Sequence, residues 1–166
     1  MPMLPQDIEA TAEAVIGRAK AAGLMVAAAE SCTGGLVSGA LTAIAGSSAV
    51  LDRGFVTYSN EAKVEMLGVS EDVLARFGAV SEPTARAMAE GAVVRSRASV
   101  AVSVTGIAGP GGGSADKPVG LVHFAAVGAD GRVVHLEKRF GDIGREAIRL
   151  ESVRTALGLL LEAVSR

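Results

Sequence analysis

A serine between an apolar run and two glycines is the first place in this 166-residue chain where chemistry could be done. Leu24 to Ala29 reads as a short buried strand, and Leu36 to Ile44 is rich in small and aliphatic residues suited to a helix. Glu30-Ser31-Cys32-Thr33-Gly34-Gly35 joins the two. A strand end fixes the hydroxyl, and the turn that follows offers unpaired backbone N–H groups at a positive dipole end. Ser31 is therefore a candidate nucleophile, or the turn is an anion cradle. In the first case the N–H groups of Thr33, Gly34 and Gly35 would face an oxyanion; in the second, a phosphate.

A nucleophilic serine needs a base. The two histidines, His123 and His135, fall in adjacent strands of a hairpin far along the chain, and read best as partly exposed sheet residues. A lysine can substitute if burial or its surroundings lower its pKa. Only four are present, Lys20, Lys63, Lys117 and Lys138. Lys63 lies in the first turn of a short helix, where the macrodipole disfavours a cation and would free its lone pair; a solvated surface lysine is the plainer reading. Tyr58, the only tyrosine, ends a strand five residues earlier. It could relay a proton with Lys63 or serve as an aromatic plug with a bonded hydroxyl.

Anion binding has further candidates. Thr105-Gly106-Ile107-Ala108-Gly109-Pro110-Gly111-Gly112-Gly113 exposes many backbone N–H groups and few side chains, which suits a phosphate as well as a mobile surface loop. It is neither a Walker loop nor a dinucleotide fingerprint. Arg145 and Arg149 stand one turn apart at the start of the last helix, placed to clamp a phosphate or carboxylate, or to face solvent.

The elements that must position these groups alternate. Gln6–Ala22 carries a helical apolar stripe ended by Gly23. After the first strand, Cys32–Ala45 reads as a helix and Val50–Tyr58 as a strand. Asn60 caps a helix over 61–67, Ser70 caps one over 71–77, and Ser81 opens a longer one with Glu82 and Pro83 in its first turn. Ser99–Thr105 is the cleanest strand. Val119–Val127 and Arg132–Phe140 form a hairpin about Gly128-Ala129-Asp130-Gly131, and Gly144–Ser165 is the last helix. This order predicts a single α/β domain over residues 1–166, a three-layer α/β/α sandwich on a mixed, mostly parallel sheet of about five strands. Ligands in such folds sit beyond the carboxyl ends of the parallel strands, where Ser31 and the Thr105 loop both fall.

Composition narrows the classes. Apolar residues make up 49% against 3% aromatic, with 21 glycines and a net charge of −2. That argues against nucleic acid, which needs clustered cations or stacking aromatics. No apolar run approaches membrane-spanning length and no basic-then-apolar leader opens the chain, so a soluble, cytoplasmic protein is expected. One cysteine excludes an internal disulfide, and no spacing suggests a metal site or a cofactor. The apolar composition and the hairpin leave room for a homo-oligomer.

Taken together, Ala29-Glu30-Ser31-Cys32-Thr33-Gly34-Gly35-Leu36, Gly54-Phe55-Val56-Thr57-Tyr58-Ser59-Asn60-Glu61-Ala62-Lys63, Gly78-Ala79-Val80-Ser81-Glu82 and Thr105-Gly106-Ile107-Ala108-Gly109-Pro110-Gly111-Gly112 resemble the CinA carboxy-terminal domain family, which includes nicotinamide-nucleotide amidases. The likeness runs over nearly the whole chain. It implies metal-independent hydrolysis of the carboxamide of nicotinamide mononucleotide to nicotinate mononucleotide and ammonia, a step of pyridine-nucleotide salvage. It also implies Ser31 as nucleophile, Tyr58 and Lys63 as proton-transfer partners, Thr105, Gly106, Gly111 and Gly112 at the nucleotide, and Arg145 at the substrate. Many relatives carry an additional amino-terminal domain, and this chain looks like the stand-alone form. A non-catalytic nucleotide-binding or regulatory module and an amidase for another substrate are the rival readings.

Overall fold

Alternation along three central strands sorts the chain into layers. The computed structural model describes residues 1–166. In chain order its elements are α1 (Gln6–Ala21), β1 (Val26–Glu30), α2 (Leu36–Thr42), β2 (Leu51–Val56), α3 (Asn60–Leu67), α4 (Glu71–Phe77), α5 (Glu82–Val94), β3 (Val100–Gly106), β4 (Leu121–Val127), β5 (Val133–Arg139) and α6 (Arg145–Val164). The sheet order is β2-β1-β3-β4-β5. β2 and β3 both run parallel to β1, while β4 is antiparallel to β3 and β5 to β4. Four strands thus point one way and β4 alone opposes them.

Val26, Ala28, Val100, Val102, Val104, Val122, Phe124 and Ala126 face α1, α2 and α6 in one cluster of 26 buried residues. Their neighbours Ala27, Ala29, Ala101 and Ala125 face the other way, toward α3 and α5, in clusters of 9 and 4. Burial of a full Val, Leu, Ile or Phe side chain stabilises by ~1.5–3 kcal/mol, and an alanine contributes less. The α1/α2/α6 layer therefore carries most of the hydrophobic stabilisation. The second layer trades it for close approach: a Cβ on Gly91 of α5 would sit 2.1 Å from the Leu67 carbonyl oxygen at the end of α3.

Three local expectations change. α2 begins at Leu36 rather than Cys32, because Gly34 (φ 57°) and Gly35 (φ 103°) take left-handed conformations that hold 32–35 in a turn. Ser59, not Asn60, caps α3, its hydroxyl accepting from the Ala62 N–H at 3.0 Å. His123 is buried rather than partly exposed. The caps at Ser70 and Ser81 form as expected. No helix is long and apolar enough to cross a membrane.

Candidate active site

The parity of β1 sends Glu30 and Ser31 to opposite faces of the sheet. Glu30 follows Val26 and Ala28 toward α2, where its buried carboxylate accepts from the Val37 and Ser38 N–H groups, each at 2.9 Å. It also accepts from the hydroxyls of Thr33 at 2.7 Å and Ser38 at 2.8 Å. Gly35, the residue at the helix start, has no side chain to cap with, so a carboxylate from the strand satisfies these orphan donors instead. Glu30 escaped the sequence reading, although strand alternation followed by Thr33 and a helix start was a usable signal.

Ser31 turns the other way, to α3. Its Oγ lies 3.2 Å from Lys63 Nζ, which also donates to the Thr57 carbonyl at 2.8 Å and reaches the Tyr58 carbonyl at 3.5 Å. The pairing is set by the main chain: Thr57 N–H donates to the Glu30 carbonyl at 2.8 Å, and Ser31 N–H to that of Val104 at 3.0 Å. Lys63 is 1% exposed, which excludes the solvated reading. Burial holds its ammonium below the ordinary lysine range; desolvation, rather than the helix dipole, is the leading cause. Burial also pushes the neighbouring Cys32 thiol up to about 11, so it stays protonated at neutral pH and does not compete as a nucleophile.

Ser31, Cys32, Tyr58, Asn60, Lys63, Ala79, Val80, Thr105, Gly106, Ala108 and Arg145 line one cleft of about 190 Å³. Tyr58 is exposed at its rim, and its phenol oxygen accepts from Arg145 Nη2 at 3.2 Å. Only its backbone carbonyl approaches Lys63. Arg145 also donates to the Gly109 carbonyl at 2.7 Å. Thr105 Oγ1 donates to the Ala79 carbonyl at 2.8 Å, pinning the 78–80 loop against the cleft. The glycine loop divides: Gly106 lies in the cleft, whereas Gly111 and Gly112 line a separate groove with Arg139 and Asp142.

The glycine turn behaves differently from a simple row of donors. Gly34 N–H is taken by the Ser31 carbonyl at 3.0 Å, and a Cβ added at Gly35 would meet the Val56 side chain at 3.5 Å. Arg149 is not at the cleft; its Nε donates to the Cys32 carbonyl at 3.0 Å and its Nη2 to that of Thr33 at 3.3 Å.

The histidines form a pair on the α5 side of the hairpin, His123 Nδ1 and His135 Nε2 lying 2.8 Å apart with the rings stacked. Glu137 lies 3.6 Å from His123 and Glu82 3.4 Å from His135, with Arg86 and Lys117 nearby. Burial lowers both pKa values; the carboxylates oppose the shift and the cations add to it. Below about pH 6.5, where free histidine charges, the unfolded chain binds more protons than the folded one. Tm should therefore fall as pH drops from about 6.5 toward 5. The double substitution His123→Gln, His135→Gln should flatten that limb, and an unchanged slope would exclude the pair as its cause. No group of three or more His, Cys, Asp or Glu side chains is placed to hold a metal ion.

A serine hydroxyl against a buried amine, at the carboxyl edge of the parallel strands of an α/β sandwich, is the arrangement of a serine–lysine hydrolase. The chain belongs to the CinA family: the CinA C-terminal domain matches residues 8–164. It is 59% identical over 143 residues to the nicotinamide-nucleotide amidohydrolase PncC of Enterobacter agglomerans, covering 83% of this chain and 86% of that protein. The protein of the same name from Escherichia coli K12 is 54% identical over 147 residues, covering 87% and 88%. The crystal structure of the competence/damage inducible protein CihA from Agrobacterium tumefaciens superposes with a TM-score of 0.97 at 61% identity, over the whole of both chains.

Proposed function

We propose that the protein hydrolyses the carboxamide of nicotinamide mononucleotide to nicotinate mononucleotide and ammonia, with Ser31 as nucleophile and Lys63 as base. The observation that carries this is the contact between Lys63 Nζ and Ser31 Oγ at 3.2 Å in a buried setting; high identity to two amidohydrolases of that name supplies the substrate. A neutral amine has two N–H bonds and one lone pair. The carbonyls of Thr57 and Tyr58 take the N–H groups, which turns the lone pair to the Ser31 O–H. As Oγ bonds to the carboxamide carbon, its proton passes to Lys63. The resulting ammonium protonates the departing amide nitrogen, ammonia leaves and an acyl-serine remains. Lys63, neutral again, takes a proton from water as its oxygen attacks the ester. Return of that proton to Oγ frees the acid and restores the site.

A cleft of about 190 Å³ is below the ~300–1,000 Å³ that encloses a drug-sized ligand. It suits the reacting ring, with the sugar phosphate at the mouth. There exposed Arg145, held by Tyr58 and the Gly109 carbonyl, presents its charge. We therefore give Tyr58 a substrate-holding part beside Arg145, with its phenol turned from the serine. Phosphorylated nucleotides do not cross bilayers, which favours a cytoplasmic enzyme.

The test is ammonia release from nicotinamide mononucleotide against nicotinamide riboside. Preference for the mononucleotide by about tenfold or more is expected if a charged guanidinium contacts the phosphate. No ammonia from either compound would favour the non-catalytic nucleotide-binding reading. Equal turnover of both would point to another substrate.

A further inference from the structure

Arg149 touches neither the cleft nor any acidic side chain, yet it is half-buried and spends two N–H donors on consecutive carbonyls of the nucleophile turn. A surface arginine needs no such arrangement. The chain's only cis peptide is Gly109–Pro110, so the peptides after Cys32 and Thr33 are trans and planar. In a trans peptide, C=O and N–H point in opposite directions. Arg149 on the Cys32 oxygen therefore drives the Thr33 N–H away from α6, and its bond to the Thr33 oxygen does the same for the Gly34 N–H. The second of these closes on the Ser31 carbonyl at 3.0 Å; the Thr33 N–H finds no partner in the protein. A cation on a carbonyl also polarises its peptide and strengthens the N–H as a donor.

Resting on the amidase reading above, we propose that Arg149 is a positioning residue of the reaction: it fixes the Cys32–Thr33 peptide so that the Thr33 N–H is presented to the oxyanion that forms when Ser31 attacks. Glu30 braces the same turn from α2 through the Thr33 hydroxyl, leaving the turn held from two sides with the Thr33 N–H, like those of Cys32 and Gly35, unspent. Arg145 and Arg149, one turn apart on α6, then divide the labour. The first faces substrate at the cleft, and the second works through the backbone.

The test compares the full chain with Arg149→Met, Arg149→Lys, Arg145→Met and Ser31→Ala, using nicotinamide mononucleotide and its thiocarboxamide analogue. A displaced donor costs about 100-fold in kcat, and Arg149→Met should lose that much with KM held within about threefold. Arg145→Met should mainly raise KM. An oxyanion donor favours oxygen over the larger, weaker-accepting sulfur. Wild type should therefore prefer the carboxamide strongly, and Arg149→Met should lose much of that preference. Arg149→Lys, able to reach one carbonyl, should recover part of both losses. If Arg149→Met does not fold, the same oxygen-to-sulfur ratio is read in Arg149→Lys. A kcat near wild type, or a fall in kcat with the ratio unchanged, would overturn the positioning role. Undiminished ammonia release by Ser31→Ala would instead remove the nucleophile assignment, whatever Arg149 does.

Discussion

Replacing Ser31 with alanine is expected to lower ammonia release from nicotinamide mononucleotide by on the order of 10⁴–10⁶-fold, the loss seen when a serine nucleophile is removed from a working unit. Binding should survive, because Ser31 contributes a single hydroxyl to a cleft whose charge comes from Arg145. The fold should survive as well. Lys63 keeps its bond to the Thr57 carbonyl, and the turn keeps its bonds to Glu30 and Arg149. Calorimetric titration with the nicotinate mononucleotide product then separates lost chemistry from lost binding. Turnover of the variant at even a tenth of the wild-type rate would place the nucleophile elsewhere.

Lys63→Met should be as damaging to activity while leaving Tm no lower than wild type at pH 7. The sign follows from burial, which lowers the folded pKa of Lys63 below its unfolded value. At neutral pH the unfolded chain therefore holds that proton more tightly, and folding works against it; the penalty fades as pH rises toward the unfolded pKa of ~10.4. Methionine fills a similar volume without a charge to desolvate, and that gain offsets the partner lost by the Thr57 carbonyl. Wild type should accordingly gain stability relative to the variant between pH 7 and about 10. Its kcat/KM should rise with pH through one ionisation below the ordinary lysine range, a limb absent from the variant's residual activity. A variant with much lower Tm and appreciable turnover would make Lys63 a structural residue.

Much of this site could be read from the chain because it is built from short-range pattern. A buried strand, a serine and two glycines mark the turn, and Lys63 stands out as one of four lysines. What fixed its pKa was not legible. Helix position suggested the dipole, whereas burial beneath the β1–β2 edge is the leading cause. Groups joined across long stretches escaped. The Tyr58 phenol meets Arg145 87 residues away, and Arg149 meets Cys32 117 residues away. The histidines are different, since the hairpin register was recoverable. His123 opposes Glu137 and Ala125 opposes His135, so the two rings are diagonal neighbours on one face. Their burial follows from α5 covering that face, which no local pattern announces. The glycine loop reads as uniform in sequence, and composition alone does not say that Gly106 faces the cleft while Gly111 and Gly112 open on another groove.

The central claim is that Ser31 becomes acylated. The most direct measurement uses the methyl ester of nicotinate mononucleotide, whose alkoxide leaves more readily than an amide nitrogen and so shifts the slow step to deacylation. Acid quench during turnover, digestion and mass spectrometry should find the nicotinoyl-nucleotide acyl group on the peptide containing Ser31, and on no other. Steady ester turnover with no acylated peptide at any quench time, or with the acyl group on a different residue, would contradict it.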